Sequence, residues 1–119
     1  ALDLGCEAEI VDLGADEYTI GRPHPMIDNT LRLERLAEVS RDKTVGTVIL
    51  DVVLGHGASP DPAAELQDVL ADISVPVFVS LIGTNGDPQN RDLQVTQLTE
   101  AGVEVHLSNS SATRAAAIR

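Results

Sequence analysis

The sequence predicts a three-layer α/β/α domain, with helices on both faces of a parallel sheet. Three observations carry this. Two nearly continuous apolar and β-branched runs, VGTVILDVVLG (45–55) and VPVFVSLIG (75–83), suit strands covered on both faces. Each run is followed by an aspartate and a proline, Asp61-Pro62 and Asp87-Pro88, which mark an N-cap and a first helical residue. Strand and helix patterns then alternate with short connections, as they do where parallel strands are joined by right-handed crossovers.

The elements follow in order. AEIVDLG (8–14) reads as a short strand closed by a glycine. GRPHPMID (21–28) is irregular, because each proline disfavours helix in the residue before it. Asp28 then caps a helix over 29–42, whose apolar positions Leu33, Leu36 and Ala37 keep helical spacing. After the strand at 45–55, a helix is predicted over 62–72 with Leu66, Val69, Leu70 and Ile73 in one stripe. After the strand at 75–83, a helix starts at Asp87-Pro88 and runs to Gly102. VEVHLS (103–108) is a final strand, and Ser108 to Ser110 cap a last helix. The reading is therefore a flavodoxin-like sheet of four parallel strands, with 45–54 and 75–82 as adjacent central strands.

Length and composition fit one domain. The 119 residues fall in the usual range of about 100–150 residues, and 43% are apolar. With one Phe, one Tyr and no Trp, the core must be built from Val, Ile, Leu and Ala. A net charge of −11 argues against a nucleic-acid or anionic-membrane surface, which needs clustered Lys and Arg. No apolar run approaches the ~20 residues of a membrane span, and no signal-peptide pattern is present. Cys6 is the only cysteine, so neither an intrachain disulfide nor a thiolate zinc cluster can form. Cys6 has no activating neighbour in the sequence, and the composition fits a reducing cytoplasm. ALDLG reads as the end of a helix closed by Gly5, and SNSSATRAAAIR is still helical where the chain stops, so residues 1–119 are expected to be one domain of a longer protein.

In open parallel sheets ligands bind beyond the carboxyl ends of the strands. Three loops fall there, 14–28, 55–61 and 83–87, and all lead into helix N-termini, which suit carboxylates and phosphates. Arg22 offers a bidentate fork to such an anion. His24, held between two prolines, is a candidate donor or proton carrier, and His56 in GHG is a second candidate catalyst. Gly55 and Gly57 allow close backbone approach to a ligand, and Thr84, Asn85 and Gly86 complete the candidate anion set. His106 alternates along a strand and reads as an ordinary strand residue. There is no GxxxxGK[ST], GxGxxG, GxSxG or HExxH, so neither nucleotide binding by this segment alone nor a metal site is expected.

Four blocks carry a family resemblance: VDLGADEYTIGRPHPMIDNTLRLERLA, VILDVVLGHGASPDPA, GTNGDPQN and EAGVEVHLSNSSATRAAA. Together they cover nearly the whole chain and resemble the carboxyl-terminal part of FdrA proteins. These in turn resemble the succinyl-CoA synthetase superfamily of nucleoside-diphosphate-forming acyl-CoA synthetases. The resemblance implies a flavodoxin-like CoA-ligase domain that pairs with a second ligase-like domain or forms a homodimer. It also implies that CoA and nucleotide contacts come from other domains, with no cofactor held by this one. In the alpha subunit of succinyl-CoA synthetase the loop after the strand matching 75–83 carries a phosphohistidine in a GHAGA motif. Here that loop reads GTNGDPQN, closer to the Gly-Asn-rich loop of the beta subunit. Three functions are compatible: a ligase domain handling acyl, phosphate or CoA groups, part of a carbamoyl or acyl transferase of oxamate and ureide breakdown, or a non-catalytic assembly domain.

Overall fold

The computed structural model describes residues 9–118 except 16, 18, 19, 22, 23, 25 and 27. Expectations for the chain's first eight residues, Cys6 among them, and for Arg22 lie outside the described residues. The described elements are α1 (Thr30–Arg41), β1 (Val48–Val53), α2 (Pro62–Ala71), β2 (Val77–Ile82), α3 (Arg91–Glu100), β3 (Glu104–His106) and α4 (Asn109–Ala117). The three strands lie in the order β1-β2-β3, all parallel. Val48 stands opposite Val77 and Val53 opposite Ile82. On the other side of β2, Phe78 stands opposite Glu104 and Ser80 opposite His106.

Strand side chains alternate between faces. Val48, Val52 and Leu54 from β1 and its end, with Val77, Val79 and Leu81 from β2, make one face. They meet Leu36 of α1, Ala63, Leu66 and Leu70 of α2 and Leu98 of α3 in a single buried cluster. The opposite face carries Phe78 and Ser80, both buried, and is covered by α4, which packs on all three strands and buries Ala112. Helices on both faces complete the predicted α/β/α layering, and the fold is flavodoxin-like.

Local chemistry explains where the elements start. Asp61 Oδ1 accepts from the Ala64 N–H (3.2 Å) ahead of Pro62, as predicted. Ser108 Oγ accepts from the Ser111 N–H (3.1 Å) and opens α4. Asp28 Oδ1 accepts from the Thr30 N–H (2.9 Å) at the start of α1, although Asn29 holds the formal cap position. Gly102, at φ +90°, ends α3, and the Val103 N–H reaches back to the Leu98 carbonyl (3.4 Å). After α1, the Asp42 carboxyl is held below its usual range by the hydroxyl and the N–H of Thr44, a contribution lost as pH falls through its folded-state value.

Three expectations are corrected. Residues 9–14 are not a strand: Asp12 turns the chain, accepting from the Gly14 N–H through its side chain (3.0 Å) and from the Ala15 N–H through its carbonyl (3.2 Å). An Asx turn that begins directly after Ile10-Val11 leaves too little length to pair. This segment runs beside α1 instead, where Arg35 pairs with Glu9 (2.8 Å) and Glu38 (2.8 Å), and Val11 and Leu13 line a shallow groove with Leu31. Consequently β1 is adjacent to β2 but is an edge strand among the described residues, with Ile49 41% exposed. Finally, α3 starts at Arg91 rather than at Asp87-Pro88. The Asp87 carboxylate turns back to accept from the Thr84 N–H (2.6 Å), and Asn90 caps the helix through the Leu93 N–H (3.2 Å).

One tight approach yields a prediction. A Cβ at Gly83 would lie 2.6 Å from Leu54 Cβ, where β1 and β2 end side by side. Gly83→Ala is expected to destabilise the fold by about 1–3 kcal/mol, the usual range for forced overpacking. Gly46→Ala, which meets only open space, is the control. Urea denaturation of both variants checks this, and equal midpoints would refute it.

Candidate functional site

The carboxyl ends of β1 and β2 deliver the 55–61 and 83–90 loops to one edge of the sheet, and Met26 and Asn29 join them there. Gln89 is buried and makes three bonds to the loop after β1. Its Oε1 accepts from the Gly55 N–H (3.1 Å), and its Nε2 donates to the carbonyls of Gly55 (2.9 Å) and Ser59 (2.9 Å). The Ser59 N–H donates to the Met26 carbonyl (2.8 Å), and the Met26 side chain lies over Gly55. The Glu65 carboxylate receives the Ser59 hydroxyl at one oxygen and the Asn29 amide at the other (2.8 Å). Gln94 ties α3 to the start of α2, accepting from the Ala63 N–H (2.9 Å) and donating to Asp61 (3.0 Å). Buried polar groups require such partners, so these side chains fix the shape of the loops between them.

The residues singled out in the sequence have different places in this frame. His24 is exposed, accepts from the Met26 N–H at Nδ1 (3.1 Å) and leans against Gly14, which places the ring proton on Nε2. His56 and Gly57 are exposed at the crest of the 55–61 loop, and their N–H groups have no protein partner among the described residues. Gly57 is left-handed at φ +82°, a conformation that favours glycine. Gly55 belongs to the same loop, but its N–H is already taken by Gln89. Thr84, Asn85 and Gly86 are largely used by their own loop. Thr84 donates to Asp87 through its N–H and hydroxyl, Gly86 donates to Thr84, and Asn85 is paired twice with Asp92. Two carboxylates therefore stand in the 84–92 stretch, which makes it a poor place for an anion.

Gln89, Ser59 and Glu65 are the residues the sequence reading passed over. Gln89 stands inside the quoted GDPQN block, but its three bonds reach 30 to 34 residues back, and no local pattern signals them.

A flavodoxin-like domain with its ordered, glycine-containing loops gathered at the carboxyl edge belongs to the ligand-handling α/β class. The chain matches the model of the CoA-ligase family over residues 3–119 and belongs to that family. It is also 32% identical over 110 residues to the uncharacterized protein YahF of Escherichia coli (strain K12). That alignment takes in 85% of this chain and 21% of YahF, so the chain spans about a fifth of the length of this relative. Among the described residues no helix is long and apolar enough to cross a membrane.

Proposed function

We propose that this chain is the ligase-type domain of an FdrA-like acyl-CoA synthetase of the nucleoside-diphosphate-forming lineage, and that it works as one domain of a larger protein. In this reading the edge formed by His24, Met26 and 55–59 receives a small carboxylate or phosphate, and CoA and nucleotide are held by other domains. The supporting observation is the pair of unpartnered N–H groups at His56 and Gly57, on a loop pinned at both ends by Gln89. Exposed amides on a rigid loop beside an imidazole suit an anion, and Arg22 would add a fork. No phosphohistidine is assigned to this domain, because the loop after β2 has none.

The test uses Arg22→Ala and His24→Ala in the full-length protein, measuring melting temperature and acyl-CoA formation from acid, nucleotide and CoA. Activity lost by roughly tenfold or more at an unchanged melting temperature is expected, the range for removal of a charged hydrogen bond. Stability lost with activity retained per folded molecule makes the loop structural and sinks the site. Turnover of carbamoyl phosphate with oxamate, in place of nucleotide and CoA, would move the reading to a carbamoyl transferase. The 119-residue domain alone is expected to form no acyl-CoA.

A second role, assembly, is favoured by a separate observation. Ile49, Val53 and Ile82 point to the α4 face of the sheet and stay substantially exposed, Ile82 at 46%. Grouped exposed aliphatic side chains suit a protein interface. We propose that this face docks a second ligase-like domain or a second copy. Ile82→Glu is expected to weaken that pairing in sedimentation, and an unchanged association state would exclude the face.

A further inference from the structure

A nucleophile-base-carboxylate chain lies outside the loops just described. β3 ends at His106, opposite Ser80 in the middle of β2, and the chain turns directly into α4. His106 Nδ1 stands 2.6 Å from Ser111 Oγ, and His106 Nε2 stands 2.9 Å from Glu104 Oε1. One tautomer satisfies both contacts: Nε2–H donates to the carboxylate, and Nδ1 accepts the serine hydroxyl. In that tautomer the imidazole presents its lone pair to Ser111, with a carboxylate behind it to stabilise the cation that forms when it takes a proton. This is the logic of a serine-histidine-carboxylate triad with the two ring nitrogens exchanged.

The surroundings hold the arrangement in place. The His106 side chain is only 16% exposed, and the Phe78 ring packs against it with centroids 6.3 Å apart. α4 is anchored over the sheet on its other side by Asn109, whose amide donates to Asp51 of β1 (2.9 Å). Ser80 Oγ, fully buried between the strands of Asp51 and His106, has no hydrogen-bond partner among the described residues. Ser111 itself is exposed, so a substrate can reach it. It is the third residue of α4, and the N–H groups of Asn109 and Ser110 have no protein partner among the described residues. Charge developing on an oxygen beside Ser111 would meet those donors.

We propose that Ser111 is an acyl-accepting nucleophile, with His106 as its general base and Glu104 as the positioning carboxylate, acting on acyl thioesters, a substrate class that rests on the CoA-ligase reading above. Ser111 Oγ attacks the thioester carbonyl, its proton passes to His106 Nδ1, and the C–O bond forms as the C–S bond breaks. The proton then leaves with the thiolate as a free thiol. Water, activated by the same imidazole, releases the acid and restores the serine. The residues involved are separate from those of the proposed anion site, so either assignment can fail without the other.

The full-length protein is treated with a fluorophosphonate, and in parallel with the acetyl thioester of N-acetylcysteamine, and adducts are mapped by peptide mass spectrometry. Both reagents are expected to modify Ser111. Ser111→Ala abolishes the adduct, and His106→Gln slows its formation by about 10²-fold or more, the usual contribution of a general base. Glu104→Gln slows it in the same direction. The proposal is overturned by a folded wild-type protein that gives no adduct at Ser111, or by a His106→Gln protein of unchanged melting temperature that labels at the wild-type rate. Should His106→Gln not fold, an unchanged labelling rate in Glu104→Gln overturns it. A fluorophosphonate adduct without acetylation by the thioester overturns the substrate class.

Discussion

Leu66→Ala is expected to destabilise the domain by about 2–5 kcal/mol, the range for truncating a buried leucine. Leu66 is 0% exposed and sits in the middle of α2, in the one cluster that joins α1, α2 and α3 to the sheet. Alanine is the best helix former, so the substitution does not weaken α2 locally, and the loss reports packing alone. The neighbouring core side chains, Val52, Val79, Leu81 and Leu98, are held by strands and by a capped helix and cannot collapse freely into the space. Urea denaturation gives the number directly, with Leu93→Ala as the comparison. Leu93 belongs to α3 but is 53% exposed, and surface changes of this kind stay within about 0.5 kcal/mol. Equal effects at the two positions would mean that α2 does not carry the core.

Gln89→Leu is the second large effect, and it separates loop order from fold. The substitution keeps the side chain's bulk but removes all three bonds, leaving Gly55 N–H and Ser59 C=O without their partner, while the Gly55 carbonyl keeps the Ala58 N–H (3.3 Å). Each buried backbone group left unsatisfied costs about 1–3 kcal/mol, less where water enters. With Gly55 half-buried, entering water offsets part of this, and a loss of about 2–4 kcal/mol is expected. Hydrogen exchange at Gly55 should accelerate well beyond exchange at Val79, in the strand centre. Uniform acceleration across both sites would show that Gln89 supports the whole fold rather than the loop.

Much of the fold was legible because its signals are local. The apolar runs at 45–55 and 75–83 became parallel neighbours, and Asp61-Pro62 and Ser108 opened their helices as read. Asp87-Pro88 carries the same letters as Asp61-Pro62 and does something else. Its carboxylate has the Thr84 N–H within reach and bonds backward, so the helix begins only at Arg91. Ile10-Val11 looked like a strand, but Asp12 closes a turn that a hydropathy pattern does not reveal. The loops at the carboxyl edge were visible through their glycines and prolines, whereas Gln89 was not, because its partners lie 30 to 34 residues away. His106 was read as an ordinary strand residue, since alternation gives its face but not the hydroxyl that the next helix brings to it.

The Gln89 clamp bears on the entropy of any encounter at this edge. Restricting one residue's backbone to a single conformation costs about 1–2 kcal/mol in lost freedom, and that term falls on whichever event does the ordering. Here Gly55 and Ser59 are both tied down in the folded chain, so His56 and Gly57 span a short arc between fixed ends. The ordering is completed during folding rather than on contact. A ligand meeting this arc is therefore spared the loop-ordering share of the cost of binding, and its arrival should leave the amide dynamics of residues 55–59 almost unchanged.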